Sequence, residues 1–309
     1  MNKASKCLWT IAICSACWLA GGAAQAATSG THYGFGGEGV MAGTTPPIGF
    51  TYRMYNTWSN PTTMKDNRGH KINNGFNLDV FASAHRFVYV TESKLFGADY
   101  FYDVVMPLVS KDLDIKATGF SDSKSLSLGD MVIEPLALGW HKPRWDGAFG
   151  LAVIAPTGEY DADIPTSPGL GYWSGMLTIG GTYYFDSART WTISALTRTI
   201  INSRQRDTHV RPGSEFVMEY GLGKEVQMRD DLLVRVGIAG AIYRQFSDDS
   251  KDGVDTIASE HKQSNALGVE LNLFYLPAQF QANIRVLREF DAENTTQGSQ
   301  AVLTLTKSF

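Results

Sequence analysis

Apolar and polar residues alternate with a period of two through most of this chain. The closing stretch, Ser299 to Phe309, shows the pattern plainly. Ala301, Leu303, Leu305 and Phe309 share one parity, while Gln300, Thr304, Thr306 and Ser308 share the other, with Val302 the one apolar intruder. Such alternation makes a strand with one greasy face and one polar face. Eleven earlier segments read as strands too: 48–58, 73–91, 98–109, 128–140, 148–156, 172–185, 191–202, 215–228, 232–246, 266–275 and 278–290. Most alternate in the same way; 128–140 is apolar on both faces, and its Glu134 is assigned inward because a charge in lipid is costly. Strands of about a dozen residues exceed the ~5–6 usual in soluble sheets and suit a tilted membrane crossing.

The connections carry a second pattern. Long ones (59–72, 110–127, 157–171, 203–214, 247–265 and 291–298) alternate with short ones (92–97, 141–147, 186–190, 229–231 and 276–277). With both termini in the periplasm, every long loop falls outside the cell and every short turn inside. Lipid offers the backbone no hydrogen bonds, so a sheet that crosses it must close on itself. The pattern therefore predicts an all-β chain: a single antiparallel up-and-down transmembrane β-barrel of about twelve strands over 48–309. Its short turns face the periplasm, its long loops are extracellular, and outer-membrane lipid is its surroundings. Trp58, Trp140, Trp145, Trp173, Trp191, Tyr275, Phe290 and Phe309 lie near strand ends, where aromatic girdles form.

Two segments fall outside the alternation. Residues 1–26 read as a secretory signal, with Lys3 and Lys6, an apolar run from Leu8 to Ala20, and Ala24-Gln25-Ala26 as the cleavage site. Cys7, Cys14 and Cys17 all lie in that signal, so the exported chain uses no disulfides. Residues 28–47, TSGTHYGFGGEGVMAGTTPP, have no period. They read as a Gly-rich periplasmic leader or as a partial plug of the lumen.

Without the signal, 25 basic residues face 31 acidic ones, a net charge of −6. No basic patch with interleaved aromatics occurs, so nucleic acid is not an expected partner. The inward faces of the expected strands carry Arg53, Asp79, Asp99, Asp103, Glu134, Arg198, Glu219, Arg235, Glu270 and Arg285. They read either as an electrostatic constriction or as a structural network filling a narrow barrel. Arg235, Glu270 and Arg285 fall on consecutive strands, which favours salt bridges between neighbours. Tyr55, Phe81, Phe101 and Met176, with Phe87, Tyr89 and Ile200, add apolar surface to the same faces. A mixed lumen of this kind suits a slim solute with an apolar ring and a polar group.

No G-x-S-x-G, H-E-x-x-H or C-x-x-C occurs. His209 with Asp207 and His261 with Glu260 sit in or beside loops, the place a barrel hydrolase would keep its site, but solvated loop charges explain them as well. His32, His70, His85 and His141 form no metal-ligand spacing. No catalytic group, metal or cofactor is expected, and the chain reads as a non-enzyme.

A resemblance covers nearly the whole exported chain. Gly129-Asp130 running on to Pro135, then Pro156-Thr157-Gly158 and Tyr160 after the next strand, resemble the outer-membrane proteins of the meta-pathway phenol-degradation family. The start, Gly36-Gly37-Glu38-Gly39 to Pro46-Pro47, and the end, LTLTKSF, are similar to that family's too. The resemblance implies an outer-membrane channel for passive uptake of small hydrophobic or aromatic solutes such as phenols. The closing strand by itself resembles the terminal strand of bacterial outer-membrane β-barrels, which implies that Phe309 is the mark read by the barrel-assembly machinery. Two other readings are a fatty-acid or hydrocarbon-type transporter barrel, and a structural or adhesive barrel with a plugged lumen.

Overall fold

A computed structural model describes residues 30–251 and 260–309 in full and residues 254–258 by their backbone. The signal segment lies outside the described residues. Twelve long antiparallel strands form one sheet: β1 (Gly49–Lys65), β2 (Phe76–Leu95), β3 (Ala98–Ile115), β4 (Met131–His141), β5 (Trp145–Ala155), β6 (Ser174–Tyr184), β7 (Trp191–Asn202), β8 (Glu215–Arg229), β9 (Leu232–Gln245), β10 (Gln263–Tyr275), β11 (Phe280–Glu293) and β12 (Thr296–Ser308). Each pairs with its sequence neighbours, and β12 pairs with β1 from Thr51↔Ser308 to Met64↔Thr296. The sheet is thus a closed up-and-down barrel, with no edge left to lipid.

The outer face is the greasy one. Ile193, Val236, Ile238, Val269, Ile284 and Val286 are exposed there, as lipid permits and water would not. Trp58, Trp145, Trp173, Trp191, Tyr275, Phe290 and Phe309 are exposed on this face as well. Phe309 packs its ring against Phe50 at 5.7 Å, and its amide donates to the Phe50 carbonyl.

Two features depart from the sequence expectations. Several strands run further toward the long-loop end than expected: β1 reaches Lys65 where 58 was expected, and β3, with 18 residues, reaches Ile115 where 109 was expected; β2, with 20 residues, gains at its short-turn end. At ~3.3 Å per residue this is about twice the lipid thickness. The long-loop end is polar, carrying Asn77, Asp79, Lys111, Asp112 and Asp114, so it stands in water while its ladder continues. Consequently 110–127 is a β-hairpin, with Phe120–Leu128 paired to β3, and the expected long loop 291–298 is a turn between Glu293 and Thr296. Within 203–262, Val210–Arg211, Asp249–Lys251 and Val254–Ala258 form a small separate sheet.

The second departure is the facing of β2. The sequence expectation set Asp79, Phe81, Phe87 and Tyr89 inward. Cross-strand register instead pairs Arg53 with Arg86 and Thr51 with Val88, so the even residues of β2 face inward. Phe81 packs on the outer-face Trp58 at 5.3 Å, and Asp79 is exposed beside Asn60 and Asn77. In the first half of β2 the even residues Phe76, Leu78, Val80, Ala82 and Ala84 are the apolar ones, yet they face inward, because this end of the strand stands in water, where the outward face is the polar one. What fixes its facing is Arg86, whose charge is matched only on the inside.

Candidate functional site

The lumen is not empty. Residues 30–47 run through it from the long-loop end to the short-turn end, and β1 then begins. They form no strand; a short turn satisfies the Ala42 and Thr44 amides from the Gly39 and Met41 carbonyls, and several of the other backbone groups find wall side chains as partners. Near the long loops, Thr31 Oγ1 donates to Glu215 Oε2 at 2.6 Å. His32 sits between Asp130 Oδ2 (2.9 Å) and Ser174 Oγ (2.7 Å) with its ring 4.4 Å from that of Tyr172. Lys262 reaches the Gly30 carbonyl at 3.4 Å, and burial pulls its ammonium below the ordinary lysine range. Burial likewise pushes the Tyr172 hydroxyl well above its usual range.

In the middle, Glu219 holds the segment. Its Oε1 accepts from the amides of Gly36 (2.8 Å) and Glu38 (2.9 Å), while Oε2 accepts from the Tyr33 hydroxyl (2.8 Å) and Arg198 Nη1 (2.6 Å). Glu270 accepts from the Val40 amide (3.1 Å), and Arg285 Nη1 donates to the Gly36 carbonyl (2.6 Å). Ser194 Oγ donates to the Gly39 carbonyl at 2.7 Å. Val40 is wholly buried. A Cβ on Gly221 or Gly237 of the wall would come within 2.7 Å of Val40, so bare backbone is what lets the segment approach. At the short-turn end, Thr44 Oγ1 donates to Asp146 Oδ2 (3.0 Å), and Arg189 closes on that carboxylate at 2.6 Å.

The lumen residues expected from the sequence divide clearly. Arg53, Asp99, Asp103, Glu134, Arg198, Glu219, Arg235, Glu270 and Arg285 point inward, and Asp79 does not. Asp103 and Glu134 share Arg86 Nη2 at 2.6 and 3.1 Å. Glu270 and Arg285 are a cross-strand pair at 2.9 Å. Arg235 does not join them; it pairs with Glu225, its partner on the other side. Asp99 lies near the short turns with Lys94 and His141. Of the apolar candidates, Tyr55, Phe101 and Met176 face inward and Phe81 outward. Phe101 joins Val88, Val90 and Ala137 in one buried cluster; Met176 joins Ala152 and Ile200 in another, against Tyr33 and Val132. Charged pairs and apolar clusters therefore share the inner wall.

The motif that carried the family resemblance is a clasp. Thr157 Oγ1 donates to the Gly129 carbonyl (2.9 Å) and accepts from the Met131 amide (3.0 Å). Asp130 accepts from the amides of Gly158 (2.9 Å) and Leu170 (2.8 Å) as well as facing His32. A Cβ on Gly171 would meet the Tyr160 ring at 2.4 Å, which seats that ring on the loop's return. The Pro135 carbonyl accepts from the Tyr100 hydroxyl on the neighbouring strand, and Pro156 leads β5 into the loop. The motif fixes the loop over the barrel mouth and fixes the start of the segment below it.

Sequence reasoning missed Glu38, Arg86, Glu225, Asp146 and the His32–Asp130 contact. Arg86 was detectable as a lone charge within a crossing strand, where only an inward position is tolerable. Glu38 had no such signal, because its segment has no period. Among the described residues no group of three or more metal-ligating side chains occurs. His261 pairs with Asp248 at 2.8 Å in the loops.

One seam of the wall differs from its neighbour. The β1–β2 ladder stops at Ser59↔Val80, whereas β1 stays paired with β12 up to Met64. A cavity of about 600 Å³ lies at this place, lined by Trp58 and Phe81 of the outer face and by Ser59, Lys111 and Gln300 of the inner face.

Among solved structures the fold is similar to an outer membrane channel from Pseudomonas putida F1, with 15% identity and a TM-score of 0.71 over 86% of this chain and 97% of that one. It is less similar to the β domain of a Bordetella autotransporter, with 11% identity and a TM-score of 0.50 over 85% of this chain and all of that one. No curated protein matches the chain. The family model described as "Putative MetA-pathway of phenol degradation" matches residues 62–305, nearly the whole wall, and the chain belongs to that family.

Proposed function

We propose that this protein is an outer-membrane channel that passes small hydrophobic or aromatic solutes inward by diffusion. The carrying observation is the make-up of the inner wall. The buried apolar cluster of Val88, Val90, Phe101 and Ala137 sits beside the Arg86–Asp103–Glu134 group. A general porin keeps its lumen wet and polar. This wall instead offers a ring-sized apolar surface next to hydrogen-bonding groups, the pairing that a phenol-like molecule presents. Family membership supports the same solute class. No catalytic constellation is needed, since each inward charge has a partner that explains it.

Residues 30–47 occupy the path, so passage requires the segment to shift. Its hold is made of side chains on a glycine-rich backbone, not of a strand ladder, so it is the part of the lumen able to move. A second route, sideways through the β1–β2 seam, is favoured by the interrupted ladder there.

The test is uptake of labelled phenol at low micromolar concentration in a deletion strain and its complemented counterpart, with a labelled sugar and a long-chain fatty acid alongside. A defect confined to phenol is the expected result. A defect shared with the sugar means a general pore, a defect confined to the fatty acid means a lipid transporter, and no defect favours a structural barrel.

A further inference from the structure

Glu38 is a carboxylate brought into a ring of arginines by a segment that has no strand pairing. Its neighbours are Arg53 (Nη1 to Oε2, 3.6 Å), Arg86 (Nη1 to Oε1, 3.9 Å) and Arg198 (Nη2 to Oε1, 4.0 Å). None is close. A well-seated guanidinium–carboxylate pair sits at ~2.7–2.9 Å, often with two parallel bonds. The short bond to Glu38 comes from the Tyr55 hydroxyl, at 2.9 Å. The reason is the tether: the Glu38 amide is fixed on Glu219, which sets where its side chain ends.

The arginines differ in what else they hold. Arg86 has Asp103 and Glu134, and Arg198 has Glu219. Arg53 donates to Thr306 and Tyr55, both neutral, and among the described residues its ion pairing is with Glu38. The Arg86 Nε is buried without a partner. If Glu38 moves away, the wall keeps Arg53 and the Tyr55 hydroxyl facing a space the size of a carboxylate, with two more guanidiniums beside it. Two and four residues along the inner face of β2 from Arg86, Val88 and Val90 begin the apolar cluster that includes Phe101.

We propose that Arg53 and the Tyr55 hydroxyl form a binding site for the carboxylate of a small aromatic acid, and that Glu38 occupies this site in the resting protein. The acid's carboxylate takes the place of the Glu38 carboxylate, free of the tether and so able to meet Arg53 with both oxygens. Its ring lies toward Val88, Val90 and Phe101. Binding displaces Glu38 and loosens the segment that fills the lumen. The inference rests on the lumen being the solute path and narrows the solute class to aromatic monocarboxylates beside neutral phenols.

The experiment is calorimetric titration of the purified exported chain in detergent with benzoate, acetate and benzyl alcohol. It compares the native protein with Glu38→Gln and with Glu38→Gln/Arg53→Met, each checked for the folded-barrel gel shift. A tethered competitor acts at roughly millimolar effective concentration, so Glu38→Gln should tighten benzoate binding roughly tenfold. The added Arg53→Met should abolish that binding. Acetate should bind far more weakly, and benzyl alcohol should bind alike to all three. Equal benzoate affinity in the native and Glu38→Gln proteins, benzoate binding that survives Arg53→Met, or acetate binding as tight as benzoate would overturn the site. Should Glu38→Gln not fold, the native protein serves: benzoate, and not benzyl alcohol, should speed proteolytic cleavage within 30–47, and equal cleavage overturns the site. Binding in detergent needs no transport. If benzoate binds as expected while phenol uptake fails in cells, the channel reading falls and the site stands; phenol uptake without benzoate binding sinks the site alone.

Discussion

The wall of this barrel and the segment it encloses are held by different forces. The wall is a ladder of backbone bonds closed from β12 to β1, and its outer face is apolar against lipid. Residues 30–47 have no ladder, and a few wall carboxylates and hydroxyls, Glu219 above all, hold their amides. In the wall, removing one side chain leaves the backbone bonds intact. In the segment, removing one side chain removes the anchor. The same twelve strands can therefore keep a stable shape while their contents move.

Single substitutions should separate the two regions. The largest effect is expected from Glu219→Ala. It deprives two segment amides, the Tyr33 hydroxyl and Arg198 of their acceptor, and loss of one partner of a buried pair costs about 3–5 kcal/mol. The segment should become protease-sensitive and ion conductance should rise, while the folded-barrel gel shift persists. Loss of that shift would mean that segment and wall are one cooperative unit.

Gly43→Ala should come next. The new Cβ would meet the Gly181 backbone at 2.2 Å, and backbone cannot step aside as a side-chain tip can. Overpacking of this kind costs about 1–3 kcal/mol. Conductance of this variant should lie between those of the native and Glu219→Ala proteins.

Asp130→Asn tests the clasp. One amide oxygen replaces a carboxylate that serves Gly158, Leu170 and His32, and a charge-assisted bond is worth about 1.5–3 kcal/mol. Cleavage within the loop 157–171 should quicken and the start of the segment should loosen, with the midsection on Glu219 unchanged.

The smallest effect belongs to a wall turn. Asp186 accepts from the Thr190 hydroxyl, from the Thr190 amide at 2.8 Å and from the Trp191 amide at 3.1 Å, and these bonds hold its carboxyl below the usual range. A carboxyl lowered by folding stabilises fully above its unfolded pKa, about 3.9, and the contribution is lost as pH falls through the lower folded value. Asp186→Ala should therefore lower thermal stability slightly at neutral pH, and the difference from the native protein should shrink as pH falls below about 4.

How much of this was legible follows from the same contrast. The ladder leaves a period in the sequence, so β7 runs over 191–202 as the alternation says, and Arg198, Glu219 and Glu270 face inward as their parity says. Parity failed on β2, whose first half stands partly in water, so that its polar odd residues face outward and its apolar even ones inward, and where Arg86 was not weighed. Loop lengths misled at 291–298, because alternation that continues into water looks like loop once its residues turn polar. The course of residues 30–47 left no period at all. Its trace lies in the partners: Gly221, Gly223 and Gly237, inward on adjacent strands, leave a groove that only a close-packed segment fills.

The central claim is that small aromatic solutes pass along the lumen once residues 30–47 shift. The most direct test is a reversible lock. Ala42 and Ser194 touch, the Ala42 amide lying 3.3 Å from Ser194 Oγ, and no cysteine follows Cys17 in the sequence. Ala42→Cys/Ser194→Cys should form a disulfide that ties the segment to β7. The account predicts that phenol uptake falls when the pair is oxidised and returns when it is reduced. Uptake unchanged with the disulfide formed would contradict it and direct attention to the seam between β1 and β2.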